Sequence, residues 1–310
     1  MSKTELPKVA IVAGPTASGK SALALQLAER FGGTIINADS AQVYRDLRIV
    51  TARPTPEEEA RAPHRLFGHV DAADTGYSAA RWAAEARVEI DRAEAAGSVP
   101  ILVGGTGLYL RTLIDGIAPV PEIDPAIRAE VRAMNLSDAY AALTVVDRAE
   151  AARLNPADTT RVCRALEVVR STGRPIADWR HERVGGIGER IDQIATILLP
   201  PRGWLNERID RRFAAMVDAG AMAEVAALIV REDVPLDAPI RRAIGMPELA
   251  AAALSEISLD DAIARASLAT RQYAKRQYTW FRNQPSADWT RTEETDSFKQ
   301  ISEIAIRLQH

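Results

Sequence analysis

The run GPTASGKS (Gly14, Pro15, Thr16, Ala17, Ser18, Gly19, Lys20, Ser21) fits the pattern G-x-x-x-x-G-K-[ST], the spacing of a phosphate-cradling loop. Its glycines let the backbone curl until successive N–H groups point into one concavity, and a helix starting there adds the positive end of its dipole. Lys20 can reach an outer phosphate, and the Ser21 hydroxyl can ligate Mg²⁺. The loop alone does not choose between a nucleotide and another diphosphate. Asp39 follows a second apolar run, Thr34 to Ala38. An acid there can hold Mg²⁺ through water or take a proton from a nucleophile, while a plain turn aspartate is its bland alternative. Ser40, Gln42 and Tyr44 can contact a planar base by hydrogen bonds and stacking. Gly104-Gly105-Thr106-Gly107 offers amides and a hydroxyl after a third run, a weak signal alone. A nucleotide triphosphatase usually carries a metal-holding Asp at that third strand, and ILVGGTG has none. No N-K-x-D guanine motif is present.

These groups need elements to position them. Lys8 to Ala13 reads as a buried strand, and Ser21 to Phe31 as a helix with Leu23, Ala24, Leu27, Ala28 and Phe31 on one face. Thr34 to Ala38 and Val99 to Val103 read as further strands, Ser78 to Ala96 as a helix capped by Ser78 and ended by Gly97. The alternation predicts an α/β fold, a P-loop NTPase-like parallel sheet wrapped by helices, with ligands beyond the carboxyl ends of the strands. From Pro119 to Arg183 only helical patterns occur, so an all-helical insertion is expected at 119–188, within a core formed by 1–118 and 189–310. Ile191 to Leu199 reads as a core strand, and Leu205 to Val230 and Asp260 to Phe281 as long helices. A surface tail with a short helix is expected from about Pro285.

The 310 residues are 47% hydrophobic and 26% charged, which supplies a substantial core. Cys163 is the single cysteine, so no internal disulfide or zinc finger can form, and MSKTELPK, lacking an apolar run, gives no expectation of a secretory signal. The expectation is a cytoplasmic monomer without a membrane span. The net charge of −3 hides local basic stripes. Ala262 to Ser286 holds five basic residues and no acid, and Thr160 to Arg183 holds six arginines against three acids. Such stripes suit a polyanion. On the last long helix, basic residues interleave with Tyr273, Tyr278, Trp280 and Phe281, which fits either an RNA surface or a core-facing aromatic row.

GPTASGKS, ADSAQVYRDL with TARP, APHRL with YSA, ILVGGTGLYL, RALEV, ERIDRRFAAM, RAIG and ATRQYAKRQYTWFR together resemble bacterial tRNA dimethylallyltransferases, from about Val9 to Arg282. The resemblance implies that the loop holds dimethylallyl diphosphate rather than ATP, with Mg²⁺ as cofactor. It implies transfer to N6 of the adenosine just 3′ of the anticodon, in the anticodon stem-loop of tRNAs reading codons that start with U. It gives Asp39, Thr106 and Lys20 to catalysis, and Arg212 to the diphosphate, with Arg208 and Arg211 as alternatives from sequence alone. It gives tRNA contacts to Asp39, Ser40, Ala41, Gln42, Thr106, Arg128, Thr160, Arg161, Val162, Cys163, Arg164, Arg241, Arg242, Lys275 and Arg276. Two departures stand out. Val50 replaces the family's glycine in IVTARP, and Met246-Pro247 replaces a tyrosine and lysine in AIGMP. The competing readings are an ATP-dependent small-molecule kinase, a nucleotide-binding regulatory module, and a prenyltransferase acting on free adenylate. The helical insertion argues for tRNA over the last.

Overall fold

Val9 to Ala13 are all buried, the all-apolar pattern of a strand covered on both faces. The structure is a computed structural model that describes residues 6–309. Among those residues the strands are β1 (Lys8–Ala13), β2 (Gly33–Asn37), β3 (His64–Arg65), β4 (Val99–Gly104), β5 (Asp192–Leu198) and β6 (Thr290–Thr292). They form one sheet in the order β3-β2-β4-β1-β5-β6, and every pairing is parallel. The parallel sheet and its four longer strands follow the sequence expectation. Gly14 and Asp39, in the loops leaving β1 and β2, and Gly104, the last residue of β4, lie at one end of the sheet.

Two expectations need correction, and two short strands went unread. The helix predicted from Leu205 to Val230 is two helices, Arg202–Asp218 and Ala221–Ile229, because Gly220 turns at φ 107°. The edge strands β3 and β6 are too short to leave a period in the sequence. The C-terminal segment is no surface tail: β6 completes the sheet edge, and helix Ser297–Gln309 buries Ile301 and Ile304 in the core that holds Leu23, Leu27 and Ile35.

The chain divides into two compact units, the second being Ile114–Gly186. Its helices Pro125–Ala133, Leu136–Val146, Arg148–Arg153, Thr159–Thr172 and Ile176–Trp179 surround Val131, Leu143, Val162 and Leu166. Asp124, Asn135, Asp147 and Asp158 each cap a helix by accepting a backbone N–H. An antiparallel bridge between Ile117 and Val184 joins the two ends of the unit.

Candidate active site

The phosphate loop leaves β1 hard against β5: a Cβ on Gly14 would lie 2.6 Å from the Leu198 carbonyl oxygen. Gly19, at φ 95°, is the cap from which helix Lys20–Phe31 starts. Ala17 holds φ 64° without being glycine, a strained conformation of the kind that functional loops retain. The Ser18 hydroxyl is buried without a partner, turned back toward Gly14. Lys20 is half-buried, and its Nζ donates to the Pro15 carbonyl at 3.3 Å. Burial pushes its pKa down to about 8, with Asp39 pulling up and Arg212 pushing down.

Helix Arg202–Asp218 places the three candidate arginines differently. Arg212 Nη2 donates to the Thr16 hydroxyl at 2.5 Å. Burial lowers its pKa to about 10, opposed by the charge of Asp39. Arg208 donates to the Ala17 carbonyl at 3.0 Å and lies over the Trp204 ring. Arg211 is exposed, reaching only the Glu207 carbonyl of its own helix. Arg212 is therefore the one of the three that meets both the loop and Asp39.

Asp39 is set by Asn37, the last residue of β2 and fully buried. Asn37 Oδ1 accepts the Asp39 N–H at 2.8 Å, and its Nδ2 donates to the carbonyls of Asp39 and Leu66, each at 3.0 Å. Trp82 Nε1 donates to the Asn37 carbonyl at 2.7 Å, and the Trp82 ring stacks on Tyr109. The Asp39 Oδ1 accepts the Ala41 N–H at 3.0 Å. From the β4 loop, the Thr106 hydroxyl accepts the Ser40 N–H at 2.9 Å and donates to Ser40 Oγ at 3.2 Å. A Cβ at Gly104 would sit 2.1 Å from Ala38, so the two strand ends meet only because that residue is glycine.

The loop Arg48–Arg53 closes the site. The Glu224 carboxylate accepts the successive N–H groups of Arg48, Ile49 and Val50 at 2.8–3.1 Å. Gln42 Nε2 donates to the carbonyls of Thr51 and Ala52 at 2.9 and 2.8 Å, so its amide is committed to that loop rather than to a base. Arg53 is buried and holds the carbonyls of Tyr44 and Arg45. Val50 keeps a negative φ and packs inward, so the departure from glycine distorts no turn.

Two cavities open here, of about 420 Å³ and 960 Å³. Lys20, Ser21, Arg208 and Arg211 line the larger. Ser40, Ala41, Thr106, Tyr109, Arg242 and Tyr273 line the smaller. Thr16, Asp39, Thr51, Arg212 and Met216 line both, so Asp39 stands at their junction. Among the described residues no cluster of three or more His, Cys, Asp or Glu is placed to hold a metal. The oxygen donors Ser21 and Asp39 on one cavity wall fit Mg²⁺, which takes one or two protein ligands and completes its octahedron with phosphate and water.

The other predicted contacts divide. Arg242 lines the smaller cavity, but Arg241 is spent on the carbonyls of Arg231, Val234 and Pro235. Lys275 and Arg276 are exposed, with Arg276 over the Tyr273 ring, while Tyr278 and Phe281 are core. In the second unit Thr160 and Arg161 are exposed, and Arg128, Cys163 and Arg164 half-buried. The Val162 side chain is fully buried, which removes it as a side-chain contact. Met246 is buried and Pro247 sits in the first turn of helix Met246–Ala253, where proline is tolerated. Gln277 and Glu224 escaped sequence reasoning. The signal for Gln277 was a polar residue in phase with the buried Ala266, Thr270, Ala274 and Phe281.

The family model for IPP transferase matches residues 42–284. A tRNA dimethylallyltransferase of Sphingopyxis alaskensis is 58% identical over 302 residues, covering 97% of this chain and 98% of its own. Among solved structures, the full-length tRNA isopentenylpyrophosphate transferase of Bacillus halodurans superposes with a TM-score of 0.70 at 32% identity, over 97% of this chain and 95% of its own. A eukaryotic dimethylallyltransferase acting on tRNA superposes with a TM-score of 0.76 at 30% identity, over 89% of this chain and 70% of its own.

Proposed function

The chain belongs to the IPP transferase family, and we propose that it moves a dimethylallyl group from dimethylallyl diphosphate to N6 of the adenosine just 3′ of the tRNA anticodon, in tRNAs reading codons that start with U. The observation that carries this reading is the meeting of two cavities at Asp39 and Arg212. A cationic cavity on the phosphate loop suits the diphosphate. A smaller one lined by Tyr109, Tyr273 and Thr106 suits a base extruded from the anticodon loop.

The bond from the allylic carbon to the diphosphate oxygen breaks as the N6–carbon bond forms, and the proton leaving N6 goes to Asp39. The allylic carbon tolerates positive character, so a weak amine suffices when held in line. Charge gathers on the departing pyrophosphate, where Lys20, Arg212 and the loop amides stabilise it. Ser21 would hold Mg²⁺ from the protein side, and the ion would supply further neutralisation of the pyrophosphate when bound. Thr106 fixes Ser40 beside Asp39 and so shapes the base wall. The remaining tRNA contacts fall to Ser40, Ala41, Arg242, Lys275 and Arg276, and in the second unit to Arg128, Thr160, Arg161 and Arg164. The reading takes the enzyme as a monomer acting in the cytoplasm, where its tRNA is found.

The test is incubation with Mg²⁺, dimethylallyl diphosphate and unmodified tRNA, read as the mass of the digested nucleosides, with wild type and Asp39→Ala in parallel. One dimethylallyl group on one adenosine without ATP is expected from wild type. Asp39→Ala is expected to bind the diphosphate and transfer nothing. No adduct, with ATP consumed in a tube that contains it, would return the loop to a nucleotide and a kinase.

A further inference from the structure

Gln277 lies on helix Leu259–Asn283, between exposed cations and the phosphate loop. It is 5% exposed, and both ends of its carboxamide are engaged. Oε1 accepts the N–H of Thr16 at 2.8 Å, and Nε2 donates to the carbonyl of Gly105 at 2.8 Å. The third residue of the phosphate loop thus gives its N–H to a side chain instead of leaving it for phosphate. The Thr16 hydroxyl meets Arg212, and Thr16 lines both cavities. Gly105 is shaped around the same amide: a Cβ there would sit 2.3 Å from Gln277 Nε2. A Cβ at Gly107 would meet the Trp280 ring at 2.5 Å, so the helix seats the whole β4 loop. One helical turn before Gln277, Tyr273 faces the smaller cavity.

We propose that Gln277 is a positioning residue for the transfer, a two-ended amide that locks the phosphate loop and the Gly104–Gly107 loop into one register and so aims the Thr16–Arg212 pair at the diphosphate. This rests on the reading of the loop as the diphosphate cradle. The role demands an acceptor on one side and a donor on the other, which glutamine supplies. A carboxylate can take the Thr16 N–H but repels the Gly105 carbonyl. A protonated carboxyl serves both.

Gln277→Glu is therefore the informative variant. Its carboxyl, buried beside a carbonyl oxygen, has a pKa above the usual carboxylate range. Below that pKa it mimics the amide, and above it the lock breaks. Relative to wild type, kcat/KM for dimethylallyl diphosphate is expected near parity at about pH 5.5 and down about ten- to a hundredfold at about pH 7.5. The KM for tRNA should stay unchanged at both values. Gln277→Leu, which offers neither bond, should show the larger loss at every pH. Thermal melts on the same samples separate folding from positioning, since a merely structural residue would shift the melt and leave the kinetic ratio flat. A pH-independent ratio for Gln277→Glu overturns the proposal. Failure of wild type to bind the diphosphate would instead overturn the cradle reading beneath it.

Discussion

Lys20 is where residue chemistry is most exposed to measurement. In the proposed reaction its ammonium holds the diphosphate, yet burial pulls its pKa from the ordinary 10.5 down to about 8. The depressed value means that the free protein loses the cation as pH rises through about 8. The kcat/KM for the donor should fall above that point, by up to about tenfold per pH unit. Diphosphate favours the charged form, so the kcat profile, which reports the bound state, should bend at higher pH. Lys20→Arg keeps its charge, and its donor profile should lack the inflection. A wild-type profile that stays flat to about pH 9 would show that the charge of Asp39 keeps Lys20 protonated against its burial. For stability the sign is reversed. Folding disfavours the protonated lysine, so the penalty is full below about pH 8 and fades as pH climbs toward 10.5. Ligand-free Lys20→Met should therefore melt no lower than wild type at neutral pH, even with donor binding lost.

The strand ends determine whether Asp39 can act. Asn37 closes β2 and accepts, donates and receives at four points, from Asp39, Leu66 and Trp82. Asn37→Ala leaves the Asp39 N–H and Leu66 carbonyl unpaired in a buried position, a loss of about 2–4 kcal/mol in chemical denaturation. Single-turnover transfer should slow by more than tenfold while the diphosphate dissociation constant stays within about twofold. A variant that loses stability with transfer intact would show that Asp39 is held some other way. These elements also show how far sequence reading reaches. β1, β2, β4 and β5 were readable because a strand buried on both faces is a continuous apolar run. β3 and β6 were not, since two or three residues carry no period and owe their place to pairing with distant strands. The spacing of GPTASGKS fixed the loop, and the position of Asp39 after a strand fixed its place. The resemblance named Arg212, but that it rather than Arg208 or Arg211 donates to the Thr16 hydroxyl follows from the pitch of helix Arg202–Asp218, which no local pattern encodes. Gln277 and Glu224 act on backbone groups far away in sequence, and are invisible until the loops are folded onto them.

Across the whole molecule, an acidic chain of net charge −3 must hold a polyanion, so its affinity depends on where the cations stand rather than on their sum. The structure sorts arginines that look alike in sequence. Lys275 and Arg276 project from a helix whose Tyr278 and Phe281 are core. Arg241 points its guanidinium at three carbonyls of its own loop. The double substitution Lys275→Ala with Arg276→Ala should lower the slope of log K against log salt for tRNA by about one to two, with kcat at saturating tRNA unchanged. Arg241→Ala should leave that slope as it is and lower the melting temperature, because it unties the turn from Arg231 to Pro235. Filter binding from about 50 to 200 mM salt, with melts on the same proteins, reads both. If Arg241→Ala flattened the slope and the double variant did not, the phosphate surface would lie on the Arg241 loop. The exposed cations of the long helix would then be solvated charge alone.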